Sequence, residues 1–324
     1  MEGFVLEGYD YESILADVED LTDLWLKHKL LCFREAHLTP DQLSHVMLKF
    51  GSVNNYFKLS GQDRPFVEPS PQIENRETAW TGWGAEYGQV HLETHAEAHA
   101  IARMITDHDM ADARAQQLRT GVNGLTFKSS FVGWHTENPH LDFPQICSAF
   151  TMPWKSCPKD QGETGFVNYG DLYNSLPDDL KDLTRDEPAF IEYPPVSPST
   201  RLKTYLVASK EFCAKVREGH CGDSIPIRPI ALPHPITGEY SIRHHNCSAT
   251  GFMNPNISDD VFHKLKQTIT DFTMNEDNQF WWQWTVGDFL LVDFWMMCHS
   301  VSNFPLGERS MMGCFGWPLE KVHR

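Results

Sequence analysis

A histidine and a glutamate stand two residues apart in Gly133-Trp134-His135-Thr136-Glu137-Asn138. In an extended segment alternate side chains share a face, so His135 and Glu137 would bring an imidazole nitrogen and a carboxylate oxygen to one point. A metal held there needs a further ligand. The last third of the chain offers His299, in Asp293-Phe294-Trp295-Met296-Met297-Cys298-His299. Two histidines and one carboxylate on one side of a metal leave its opposite side open, a ligand set suited to non-haem Fe(II). With 16 His and 44 acidic residues, His-x-Glu pairs arise by chance. The case therefore rests on the surrounding chain.

The elements that would position these residues are legible in outline. Ile14, Leu15, Val18, Leu21, Leu24 and Trp25 have helical spacing and predict one helix over 11–28. Leu30-Leu31-Cys32-Phe33 reads as a short apolar strand. Thr39 as N-cap with Pro40 behind it starts a second helix, and Gly51 closes it. Residues 60–90 read as a long loop with short pieces of structure and 91–119 as helical. From Leu125 the pattern turns to short strands: Leu125–Val132, Ile146–Trp154, Gly165–Tyr169, Phe190–Tyr193, Thr204–Ala208, Ile225–Leu232, Tyr240–His244, Phe280–Trp284, Phe289–Phe294 and Ser310–Phe315. A short helix is expected over Pro177–Thr184. A longer one follows Ser258, with Val261, Phe262, Leu265, Ile269 and Phe272 on one face. Many short strands with few helices predict a mainly β sandwich or barrel with flanking helices. We read one domain: N-terminal helices over 1–51, an insertion or lid over 60–124 and a β core over 125–318.

Composition narrows the class. At 324 residues, 41% apolar and 12% aromatic, the chain can bury a large core. No apolar run approaches a membrane span. A net charge of −17 argues against a nucleic-acid surface, which needs a basic face. Met1-Glu2-Gly3 begins no basic-then-apolar leader, so a cytoplasmic protein is expected. None of the eight cysteines forms a Cys-x-x-Cys pair, and they read as reduced, mostly buried thiols.

Four stretches, in order, carry a resemblance. Leu31-Cys32-Phe33-Arg34-Glu35 is followed by Leu38-Thr39-Pro40-Asp41-Gln42 and Phe50-Gly51. Trp134-His135-Thr136-Glu137 is the second and Gly162-Glu163-Thr164 the third. The fourth runs from Trp284-Thr285-Val286-Gly287-Asp288 through Asp293 to His299, with Arg309 beyond it. Together they resemble the taurine dioxygenase-like family of Fe(II)/2-oxoglutarate oxygenases. The resemblance implies a double-stranded β-helix, or jelly roll, with Fe(II) on His135, Glu137 and His299. It also implies Arg309 on the distal carboxylate of 2-oxoglutarate, with the Thr164 hydroxyl beside it. A guanidinium fork suits that carboxylate, which two parallel charge-assisted hydrogen bonds can hold. O2 and a small-molecule substrate are the implied partners; self-association is left open.

The chain departs from the family's pattern at three places. Glu137 stands where most relatives have Asp, as in superfamily branches that oxidise amino acids. Gly313 stands where taurine-oxidising members carry a second arginine for the sulfonate. Residues 74–124 match nothing in the family's pattern. These departures predict a small polar substrate, amino-acid-derived in one version, with Arg243, Asn138 and His140 as candidate substrate contacts. Two other readings compete. One is a zinc-dependent hydrolase on His91, His95 and His99, which would share a helical face. The other is a metal-free jelly-roll binding protein.

Overall fold

The computed structural model describes residues 3–50, 52–53, 83–85, 88–93, 130–136, 146–151, 159–192, 214, 217–218, 227–243, 249–304 and 311–317. The chain opens with β1 (Phe4–Leu6), which runs parallel to β2 (Leu30–Phe33). Between them lie α1 (Tyr11–Ala16) and α2 (Val18–His28). The single helix expected over 11–28 is therefore broken. Asp17, at φ −103° and ψ 19°, ends α1 and starts α2. Asp competes for backbone hydrogen bonds and so favours helix ends over interiors. Helix α3 (Pro40–Phe50) starts where expected, with Thr39 and Gln42 exchanging side-chain-to-backbone hydrogen bonds across its first turn.

The remaining elements are β3 (Ser52–Val53), β4 (Trp83–Ala85), β5 (Gly88–Glu93), β6 (Ser130–His135), β7 (Cys147–Thr151) and β8 (Thr164–Asn168). Next come α4 (Tyr169–Ser175), α5 (Asp178–Asp186), β9 (Ala189–Glu192), β10 (Ile227–Arg228), β11 (Ala231–Pro233), β12 (Tyr240–Ile242) and β13 (Ala249–Phe252). The chain continues with α6 (Asp259–Met274), β14 (Gln279–Trp282), β15 (Phe289–Asp293), β16 (Met297–Phe304) and β17 (Met311–Trp317). One large sheet has the order β1-β2-β15-β7-β17-β5-β4, with β3 also on β17. A four-stranded sheet has the order β14-β8-β16-β6, and two smaller sheets are β10-β9-β13 and β11-β12.

Strand alternation sorts the side chains into layers. Leu31, Phe33, Phe289 and Leu291 leave the large sheet on the side of Trp25, Leu43 and Met47 from α2 and α3. Their neighbours Leu30, Cys32, Leu290 and Val292 leave on the other side and meet Phe166, Trp282 and Met297 of the four-stranded sheet. The outer face of that second sheet, with Trp134, Val167 and Cys298, packs on Leu172 of α4, Leu180 of α5 and Phe262, Leu265 and Ile269 of α6. The period-two pattern thus builds a helix–sheet–sheet–helix order, and the space between the sheets is where alternate residues of β6, β8 and β16 converge.

Several expectations are corrected. His91 lies on β5, opposite Gly313 of β17, and not on a helix. Gly88–Glu93 alternates apolar Val90 and Leu92 with polar neighbours, and β17 offers a strand to pair with. That removes the helical face shared by His91, His95 and His99; the latter two lie outside the described residues. Strand β4 is one short piece of structure within the stretch read as a long loop, as expected. The strand expected over Ile225–Leu232 divides into β10 and β11, and α4, β13 and β16 were not anticipated. Asn168 caps α4 by accepting from the Gly170 and Asp171 amides, a signal present in the sequence. The strand expected over Thr204–Ala208 lies outside the described residues.

Candidate active site

His135 ends β6 and His299 lies in β16, and the two are direct partners across an antiparallel ladder. Each is flanked by a residue facing the outer layer, Trp134 and Cys298 respectively. Both rings therefore face the space between the sheets. Their centroids are 4.1 Å apart with planes tilted by 42°. Two imidazoles on adjacent positions of one metal, at about 2 Å per metal–nitrogen bond, have centroids roughly 4–5 Å apart. The pair thus fits a shared cation. His299 is buried, with the rings of Phe294 at 4.6 Å and Phe166 at 6.4 Å limiting its rotation. His135 is half-buried. Neutral imidazoles suit Fe(II), and a carboxylate would complete the facial set. Glu137, two residues beyond His135, lies outside the described residues, as do Asn138 and His140.

Thr164 begins β8 and is buried. It shares a strand face with Phe166, the partner of His299 across β8 and β16, so it looks into the same space. Its Oγ1 accepts a hydrogen bond of 2.8 Å from the indole Nε1 of Trp284. The third motif and the head of the fourth are thereby joined. Arg309 lies outside the described residues, two positions before β17.

The fourth motif is also tied to the first. Asp288 is fully buried beside Gly287, and Oδ2 accepts from Arg34 Nη1 at 2.6 Å and from the Thr285 amide at 2.9 Å. Oδ1 accepts from the Thr285 hydroxyl at 2.8 Å and the Glu35 amide at 3.2 Å. The Arg34 guanidinium also lies 3.6 Å over the Trp282 ring. A charge this deep is tolerated because its lone pairs are filled. Its work is to lock the β14–β15 turn against the end of β2.

Arg243 follows β12. Read from sequence as a substrate contact or an exposed strand-end cation, it is only 1% exposed, with Nη1 donating to the carbonyls of Phe294 and, at 3.2 Å, Trp295. These carbonyls belong to the turn between β15 and β16. Sequence reasoning missed His234 as well, although it immediately precedes the turn sequence Pro235-Ile236-Thr237-Gly238. Its ring is buried, and Nε2 lies 3.3 Å from Asp293 Oδ2.

Comparison with known proteins follows the same lines. Residues 2–315 match the family model described as "Taurine catabolism dioxygenase TauD, TfdA family". The chain is 21% identical over 309 residues to the (S)-phenoxypropionate/alpha-ketoglutarate-dioxygenase of Sphingobium herbicidovorans, covering 92% of this chain and 86% of that one. A taurine dioxygenase from Burkholderia xenovorans superposes with a TM-score of 0.58 at 16% identity, covering 97% of this chain and 86% of the other. The structure of AAD-2 with Mn(II) and N-oxalylglycine superposes with a TM-score of 0.57 at 13% identity, covering 99% and 96%.

Proposed function

The chain belongs to the taurine catabolism dioxygenase TauD, TfdA family and is an Fe(II)/2-oxoglutarate-dependent dioxygenase, and from that premise we propose the roles of its residues. His135, Glu137 and His299 hold the iron. Arg309 anchors the distal carboxylate of 2-oxoglutarate, with the Thr164 hydroxyl donating beside it. The two sheets form the walls of a jelly roll, and the iron sits between them. Fe(II) with 2-oxoglutarate and O2 supplies an oxidant for an unactivated C–H bond, with succinate and CO2 as co-products.

The observation that carries this reading is the placing of His135 opposite His299, rings tilted together on the inner face of one ladder. The protein's own part is to hold and orient. Phe294 packs against the His299 ring, with Phe166 beyond it, and this apolar surround favours one ring orientation. The Trp284 indole donates into Thr164 Oγ1, so the hydroxyl hydrogen is directed away from the indole, where a carboxylate oxygen can accept it. The substrate is a small polar molecule, amino-acid-derived in the most specific form of the proposal. Asn138 and His140, next to the iron ligands in sequence, are its candidate contacts. The phenoxypropionate named for the relative is also a small carboxylate, which favours this size class. Among the described residues no helix is long and apolar enough to cross a membrane. Cys32, Cys147 and Cys298 are buried in the core, and placement in the cytoplasm is part of this reading.

The test is anaerobic loading with Fe(II) and 2-oxoglutarate, followed by O2 and a library of small polar and carboxylate substrates, with succinate as the readout. His299→Ala should abolish substrate-coupled succinate while thermal unfolding stays cooperative. Arg309→Ala should weaken apparent 2-oxoglutarate affinity by more than about tenfold, as expected when a buried charged partner is removed. Full coupled turnover in His299→Ala would refute the ligand assignment. Coupled turnover only with long apolar chains or proteins would refute the substrate class and leave the iron site standing.

A further inference from the structure

The short turn between β15 and β16, Phe294-Trp295-Met296, leads directly into the strand that carries His299. Short turns of this kind normally satisfy themselves or face water. This one is gripped from two directions. On one side the Tyr169 amide donates to the Met296 carbonyl at 2.7 Å, and Gly170 lies so close to the Met296 methyl that a Cβ there would have to displace it. On the other side stands the β11–β12 hairpin. Asp293 Oδ1 accepts from the Trp295 and Met296 amides at 3.0 and 3.2 Å. Its second oxygen, Oδ2, lies 3.3 Å from His234 Nε2, at the end of β11, a buried charge–dipole contact without hydrogen-bond geometry. Arg243, at the end of β12, donates Nη1 to the Phe294 and Trp295 carbonyls. Its guanidinium carbon is 5.2 Å from the centre of the Trp295 ring.

The tautomer of His234 follows from its other nitrogen. Nδ1 accepts from the Ile236 and Thr237 amides at 3.2 and 3.1 Å, so it carries a lone pair. The ring hydrogen of the neutral imidazole is then on Nε2, which faces Asp293 at contact distance without a hydrogen bond to it. The hairpin itself is held by a ladder pairing Ala231 with Ile242 and by the Arg243 amide donating to the Ile230 carbonyl at 2.7 Å. Both of its gripping side chains therefore start from fixed backbone. Each is at least 99% buried, where a hydrogen bond from a guanidinium is worth more than at a surface.

We propose that the β11–β12 hairpin is a positioning device for the iron site. His234 and Arg243 clamp the β15–β16 turn and so set where β16 presents His299. This deepens the reading of His299 as an iron ligand and rests on it. Arg243 then acts through the backbone of the turn and His234 through Asp293. Loosening either lets the turn rock, and the imidazole with it. Ligands held loosely bind metal more weakly, whether or not the fold survives.

Two variants separate the parts. His234→Asn keeps an acceptor near the Nδ1 position for the Ile236 and Thr237 amides and removes the contact with Asp293. Arg243→Met removes the donors and keeps much of the volume, and Arg243→Lys restores a donor of the right charge. Co(II), which reports its ligand field in its visible spectrum, is titrated into each full-length protein. Backbone hydrogen exchange at Trp295 and Met296 is measured on the metal-free proteins. His299→Ala serves as the reference.

The clamp predicts that His234→Asn and Arg243→Met each weaken Co(II) binding by about tenfold, the lower end of what outer partners of metal ligands are worth. Both should speed exchange at Trp295 and Met296, and Arg243→Lys should recover part of each effect. If Arg243→Met does not fold, His234→Asn carries the test. Unchanged Co(II) affinity and exchange in His234→Asn would overturn the clamp. Co(II) binding that persists unchanged in His299→Ala would overturn the ligand reading instead. Loss in His299→Ala with no effect in the hairpin variants would leave the ligand standing and remove the clamp.

Discussion

At the scale of single residues, the hydrogen bond between Trp284 and Thr164 turns a motif position into a mechanistic statement. A buried threonine in a strand needs no special explanation, and the sequence alone offers only its place in Gly162-Glu163-Thr164. The indole donor changes that, because it occupies a lone pair of Oγ1 and biases where the hydroxyl hydrogen points. Trp284→Phe should therefore raise the apparent KM for 2-oxoglutarate by about three- to tenfold, the worth of one neutral hydrogen bond. Thr164→Val should do at least as much. A KM unchanged in both variants would remove Thr164 from the cofactor site. His234 makes the complementary point: its identity was visible, but its partner, Asp293, is 59 residues away in the chain.

At the scale of elements, the motifs that lie far apart in sequence prove to be one assembly. β15 lies between β2 and β7, so the end of β2 and the start of β15 are neighbours. Asp288 exploits this by taking Arg34 and the Glu35 amide from the first motif and Thr285 from its own. Gly287, at φ +89°, makes the turn possible, and a Cβ there would strike the His37 ring. Asp288→Ala leaves Arg34 and the part-buried Glu35 and Thr285 amides without their acceptor. Destabilisation by about 3–5 kcal/mol is expected, as for breaking a buried pair from one side. The measurement is chemical unfolding, and a loss below about 1 kcal/mol would show that the exposed side of Arg34 lets solvent screen the pair.

At the scale of the whole molecule, the layering puts an ionisable group where the fold must answer for it. Lys266 of α6 is 4% exposed in the outer helical layer, with Nζ 4.7 Å from the Phe262 ring centre. Burial pushes its ammonium down to about 7 from the usual 10.5. The folded chain therefore binds fewer protons than the unfolded chain between those values, and stability rises with pH across that window. Lys266→Met should stabilise the protein most below about pH 7, by on the order of a few kcal/mol, and the advantage should fade towards about pH 10. Urea unfolding of both proteins at a series of pH values checks this, and a difference that does not vary with pH would refute it. The sequence by itself determined much of this molecule. Short apolar runs marked β2 and β15, Thr39 and Ser258 marked helix starts, and four ordered motifs marked the chemistry. These signals are local, because apolar runs and capping depend on residues within a few positions of one another. Only the tertiary structure decided that His135 pairs with His299, that His91 lies on a strand beside β17, and that Arg243 is buried and donates to the carbonyls of a backbone turn. Register between strands more than a hundred residues apart is set by which surfaces meet when the sheets assemble, and local periodicity does not encode it.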